Sequence, residues 1–246
     1  MNEDRSMDAL NLGQHISQQY NEELDEVRAK VLQMGGVVEE QLAKAIKALM
    51  NCDADLGRSV VKNDARVNSL EIEIDEECTR IMARRQPAAS DLRLVIAVIK
   101  TINDLERIGD EVKRVGKMVS EELQGTIAED IRNEIEHMGE LVQRMLRNVL
   151  DAFARTDVDT AIKVVRADRK VDVKYKSITR QLMTHMSQDA KAIPTVMKIL
   201  WAARAMERMG DRCQNIAEYV IYLVIGEDVR HTSVDDLMAR VAGDQK

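Results

Sequence analysis

Glu106-Arg107-Ile108-Gly109-Asp110 returns near the far end of the chain as Glu207-Arg208-Met209-Gly210-Asp211, an offset of 101 residues. The pentapeptide closes a longer correspondence. Upstream, at an offset of 104 residues, Met34-Gly35 falls on Met138-Gly139, Val38 on Val142 and Leu42 on Leu146. Asp53-Ala54-Asp55 falls on Asp157-Val158-Asp159, Asp64 on Asp168, Val67 on Val171, Ile74 on Ile178 and Met82 on Met186. The register slips between Met82 and Asp91, where Pro87 marks a loop, the usual place for insertions. A gap-free run of matches followed, after one slip, by a shared motif is the signature of an internal duplication.

Each copy reads as three helices. In the first, Val27, Val31, Met34, Val38, Leu42, Ala45 and Leu49 recur at three and four, which predicts a helix from about Ser17 to Asn51. Asp53 and Asp55 suit a turn and the first turn of a second helix, where acids oppose the macrodipole. That helix runs to about Arg85 with Val60, Val67, Leu70, Ile74, Cys78 and Ile81 on one face. Gln86-Pro87 breaks it, and Ser90 is the expected N-cap of a third helix that reaches about Leu123 and ends at Gly125. The second copy repeats this near 127–155, 158–187 and 194–225, with Pro194 close to a helix start. The expectation is an all-α chain of two tandem, internally repeated three-helix bundles: 1–124 with an N-terminal extension, 125–226, and a tail at 227–246 with weak helical patterning around Val234–Val241.

Composition agrees with long helices. Two prolines and 11 glycines in 246 residues are too few for the turns of a sheet protein. Aromatics are only 2%, so aliphatic side chains and methionine must fill the core. The net charge of −7 argues against binding nucleic acid through phosphate, and suits cations or basic partner surfaces. Cys52, Cys78 and Cys213 are far apart without CxxC spacing, so neither a disulfide framework nor a zinc knuckle is expected. The polar N-terminal stretch has no signal-peptide core, and the most apolar runs, Leu94–Ile99 and Ile216–Ile225, fall well short of the ~20 residues of a membrane span. A cytoplasmic chain that meets membranes only through partners is the expectation.

The chemistry lies in the acid spacing. Glu106 and Asp110 are four apart and share a helix face, as do Glu207 and Asp211, and Asp168 and Asp172. The first-repeat counterpart of the last pair is Asp64 and Asn68. Like charges at this spacing repel, and a multivalent cation with oxygen ligands (Mg, Mn, Ca, Fe or Zn) would relieve the repulsion. The alternative is a solvated face, with Arg107 and Arg208 as interhelical counterions. Gly109 and Gly210 sit inside these helices, where glycine costs about 1 kcal/mol against alanine, which points to close helix approach or ligand access. A carboxylate-bridged enzyme would need an ExxH motif on each of two helices. The helices contain one, Glu134 with His137, so no enzyme is expected.

Leu10-Asn-Leu-Gly-Gln-His-Ile-Ser17, Met34-Gly-Gly36, Arg85-Gln-Pro87, Ser90-Asp-Leu-Arg93, Asp104-Leu-Glu-Arg-Ile-Gly-Asp110 and Glu207-Arg-Met-Gly-Asp-Arg-Cys-Gln-Asn215 together resemble the PhoU family over nearly the whole chain. The resemblance implies two three-helix bundles, a homodimer, and negative regulation of the phosphate-starvation response in high phosphate. It implies contact with the ATPase side of a phosphate ABC transporter and with a PhoR-type sensor histidine kinase. Some members hold multinuclear metal clusters through E(D)xxxD motifs, which here fall on Glu106/Asp110, Asp168/Asp172 and Glu207/Asp211. Asp64/Asn68 departs from that pattern, so the first-repeat site is expected to be weaker or empty. Asp91 and Arg93 stand beside a loop that the second repeat replaces with Ala192-Ile-Pro194, and are the candidate partner-binding residues.

Overall fold

The computed structural model describes residues 3–87, 89–121, 128–229 and 232, with side chains from Gln18 onward. Among these residues there are six α-helices, one short 3-10 turn at Ala190–Ala192 and no strand. The helices are α1 Glu3–Asn51, α2 Ala54–Arg85, α3 Ala89–Glu121, α4 Glu129–Arg155, α5 Val158–Gln188 and α6 Ile193–Ile225. The expected end of α3 at Leu123 and Gly125, the 124/125 boundary and the tail pattern at Val234–Val241 lie outside the described residues.

The two repeats start their second helices in the same way. Asp53 and Asp157, equivalent by the 104-residue offset, each accept a hydrogen bond from the backbone N–H three residues on, at 2.9 Å from Leu56 and 3.0 Å from Thr160. Such a cap contributes about 1 kcal/mol. The preceding residues, Cys52 and Thr156, turn the chain with φ of 50° and 54°. Two starts differ from expectation. α1 is helical from Glu3 rather than Ser17, because no proline interrupts its hydrogen-bond ladder. α3 begins at Ala89, so Ser90 lies inside the helix and its hydroxyl meets the Asp91 carboxylate instead of capping the backbone.

Within each repeat the three helices pack on one another, and the repeats meet through α3 against α6 and α1 against α4. One continuous core runs through both, built from aliphatic residues and methionine around Phe153. The α1–α4 contact is reciprocal. A Cβ on Gly35 would lie 2.3 Å from a Leu150 methyl, and a Cβ on Gly139 would lie 2.9 Å from an Ile46 methyl. Gly35 and Gly139 are equivalent, and so are Ile46 and Leu150. Each repeat thus presses one aliphatic knob into the other's glycine, the mark of a two-fold axis between copies. Cys78 and Cys213 are buried core residues; Cys52, in its turn, is half-buried.

Candidate metal centre

In the second repeat, α5 and α6 bring Asp168, Asp172 and Asp211 together, with carboxylate oxygens within 4.8 Å of one another. No other such set occurs among the described residues. Helical spacing accounts for it: Asp168 and Asp172 lie one turn apart on α5, and Asp211 faces them from α6. Gly210 makes the approach possible. A Cβ there would stand 3.0 Å from Asp168 Oδ1. Asp168 is 8% exposed, and its Oδ1 is buried with no hydrogen-bond partner. An orphaned buried oxygen beside two further carboxylates fits a cation that shares all three.

The electrostatics agree. Burial, with Asp211 and Asp172 alongside, pushes the Asp168 carboxyl up to about 7. Burial and Asp172 raise Asp211, and burial and Asp211 raise Glu207. Glu207 lies beside the three aspartates but outside their close set. One of its oxygens accepts from Arg204 Nη1, and the other, Oε2, is buried without a partner.

In cation-free protein this arrangement sets a pH dependence. The folded chain keeps a proton on Asp168 that the unfolded chain releases above its ordinary value of 3.8. The contribution of Asp168 to stability is therefore greatest below that value, falls as pH rises toward about 7, and flattens beyond. In chelator, the melting temperature should drop between pH 5 and pH 8, and Asp168→Asn should flatten the slope. An equal slope in the variant would remove Asp168 from the explanation.

The first-repeat residues are arranged differently. Asp64 is 6% exposed and accepts a hydrogen bond from Lys113 Nζ at 2.6 Å; the same nitrogen lies 3.9 Å from Asp110. Glu106 is half-buried and raised by burial, then by Asp110. Glu71, on α2, is raised by burial and by Asp75. Asn68 Oδ1 is buried without a hydrogen bond. A Cβ on Gly109 would meet Val67 at 3.3 Å and one on Gly210 would meet the equivalent Val171 at 3.4 Å, so both glycines serve helix packing, and Gly210 alone also faces a carboxylate.

Of the other candidates, Arg208 is an interhelical counterion, donating to Glu111 of α3 at 3.2 Å. Arg107 is exposed. His137 is exposed and Glu134 pairs with Lys174, so the lone ExxH stands outside the acidic cluster. Asp91 and Arg93 are half-buried rather than freely accessible. Asp91 shares a cleft with Arg28 of α1, Thr156 and Leu223, and the Arg93 guanidinium lies 3.6 Å from a Cβ built on Gly226.

Two features escaped the sequence reading. Lys113 is one. The other is Asp104, 4% exposed between the repeats, which accepts from Tyr219 Oη at 2.9 Å and from Arg212 and Asn215 at 3.4 Å each. Its second-repeat counterpart is Ala205, and that mismatch was the available signal.

The PhoU domain model matches twice, at residues 31–119 and 135–220, once on each helix triplet. The chain belongs to the PhoU family. The phosphate-specific transport system accessory protein PhoU of Edwardsiella tarda is 51% identical over 231 residues, covering 94% of this chain and 95% of that one. The crystal structure of PhoU from Pseudomonas aeruginosa superimposes with a TM-score of 0.79 at 46% identity, over 85% of this chain and all of that one. The phosphate transport system regulatory protein PhoU from Streptococcus pneumoniae gives the same TM-score at 30% identity, over 85% of this chain and 99% of that one. Two PhoU repeats therefore make up most of the described helical body, and no described helix is long and apolar enough to cross a membrane.

Proposed function

We propose that this chain regulates phosphate transport and, in high phosphate, holds the phosphate-starvation response off. It does so by contact, linking the ATPase of a phosphate ABC transporter to a PhoR-type sensor histidine kinase, and it works as a homodimer. The observation that carries the reading is the pair of PhoU matches over both repeats, with near full-length relatives named for the phosphate-specific transport system. The PhoU family is one of accessory and regulatory proteins, and the lone ExxH points to no enzyme chemistry.

The second-repeat acids supply the sensor in this proposal. A divalent or ferric ion held by Asp168, Asp172 and Asp211, with Glu207 beside them, cancels repulsion between α5 and α6. Asp211 is followed directly by Arg212, whose guanidinium reaches Asp104 on α3. A change of charge at the acids therefore bears on the contact between repeats.

Deleting the gene should raise a phosphate-starvation reporter, such as alkaline phosphatase, in phosphate-rich medium, and restoring the wild-type chain should repress it. A deletion strain that stays low rejects negative regulation. In the same strain, Asp91→Ala tests the start of α3 as a docking surface for kinase or transporter. Loss of the acid from the first turn costs only about 0.3–1 kcal/mol of dipole stabilisation. A folded but derepressed variant supports docking, and full repression removes Asp91 from any essential contact.

A further inference from the structure

We infer that Lys113 is the resident cation of the first repeat: its tethered ammonium takes the place that a metal ion takes in the second, so that one repeat is closed to metal and the other is open to it. The inference rests on the metal reading of the second repeat and is carried by an internal comparison. Asp64 and Asp168 are equivalent, both are buried, and both face the ERxGD helix of their own repeat. Asp64 has Lys113 Nζ at 2.6 Å, and Asp110 lies 3.9 Å from the same nitrogen. The residue equivalent to Lys113 is Gln214, three positions after Asp211 as Lys113 is three after Asp110. Gln214 turns along its own helix and donates to Glu218 at 3.0 Å. Asp168 is left with an unpartnered buried oxygen.

Charge moves the same way. The first set, Asp64, Asn68, Glu106 and Asp110, has one carboxylate fewer than Asp168, Asp172, Glu207 and Asp211, and Lys113 adds a positive charge. Lysine presents a compact point charge with three donors and no acceptor. At this distance it satisfies Asp64 and repels an incoming divalent ion. A tethered ammonium also has no dependence on free cation concentration, whereas a bound metal follows mass action. The two repeats thus divide the work. In one cluster the buried acid, Asp64, is permanently paired, and the pair holds α2 to α3. In the other the buried acid, Asp168, gains a cation only when metal is present.

The test is a pair of reciprocal substitutions in the full chain, stripped of metal and titrated with Mn²⁺. Asp172→Asn disables the second repeat. In that background Lys113→Gln should create a binding site that Asp172→Asn alone lacks, and Mn²⁺ should raise its melting temperature by several degrees. In the reverse direction, Gln214→Lys should weaken Mn²⁺ binding to the second repeat at least tenfold and raise the melting temperature in chelator. If the double variant neither binds Mn²⁺ nor melts higher in it, or if Gln214→Lys binds as tightly as the wild type, Lys113 is an ordinary ion-pair partner and the inference is wrong. Failure of the metal reading shows separately, as absence of binding by the wild type, and the double variant still tests Lys113.

Discussion

Metal-stripped protein titrated with Mn²⁺ in a calorimeter should show a high-affinity site that Asp211→Asn weakens by more than about 100-fold and Asp110→Asn leaves in place. Loss of an outer-shell partner costs about 10–100-fold, and loss of a ligand should exceed that. The asymmetry follows from geometry. Asp211 closes a set of three carboxylates within 4.8 Å, and it faces Asp168, whose Oδ1 has no other partner. Asp110 lies 3.9 Å from Lys113 Nζ, and the buried acid it would share a metal with is already paired to that nitrogen. Glu207→Gln should fall between the two, because Glu207 adds charge but gives one oxygen to Arg204. Equal loss in the Asp211 and Asp110 variants would remove the asymmetry. No binding by the wild type would reject the metal reading of the second repeat.

Gly57→Val should lower the melting temperature by about 6–12 °C. A Cβ at position 57 would lie 2.7 Å from the carbonyl oxygen of Gly116 and 3.2 Å from the backbone nitrogen of Ser120. These are backbone atoms of α3, so no rotamer change can relieve the clash, and α2 must move away bodily. Overpacking costs about 1–3 kcal/mol, occasionally more, and a rigid neighbour places this site at the upper end. For a chain of this size each kcal/mol is about 2–4 °C. Gly36 is the control. Nothing lies within 4 Å of a Cβ there, so Gly36→Ala should gain up to about 1 kcal/mol from helix propensity alone. Thermal scans in the same buffer decide it, and a Gly57→Val protein that melts with the wild type rejects the close approach.

The helices were legible because the chain states its pattern twice. Val60, Val67, Leu70 and Ile74 mark a buried stripe on α2, and Val164, Val171 and Ile178 mark it again on α5. Capping aspartates, Pro87 and Pro194 then mark the boundaries. The second-repeat acids were legible for the same reason, since i,i+4 spacing and recurrence are local facts. Lys113 was not. Lysine three residues after an aspartate is ordinary on a solvated helix, and only the packing of α2 on α3 shows that its nitrogen reaches Asp64. Asp104 was hidden in the same way: its three partners lie 108 to 115 residues away on α6, and no periodicity points across that distance. Arg93 looked accessible from its place near a loop, but the end of α6 returns to cover it at Gly226.

The reciprocal seating of Leu150 on Gly35 and Ile46 on Gly139 has a consequence for how this molecule came to be asymmetric. A one-repeat ancestor with that knob and that hole would have paired with its own twin. Every acid site in such a pair comes in identical duplicate, because one gene writes both, and a lysine placed in one would be placed in the other. Joining the two halves into a single chain removes the constraint. Position 113 can then hold lysine where position 214 holds glutamine, and position 68 can hold asparagine where position 172 holds aspartate. Fusion keeps the architecture of a symmetric pair and lets its two halves acquire different chemistry.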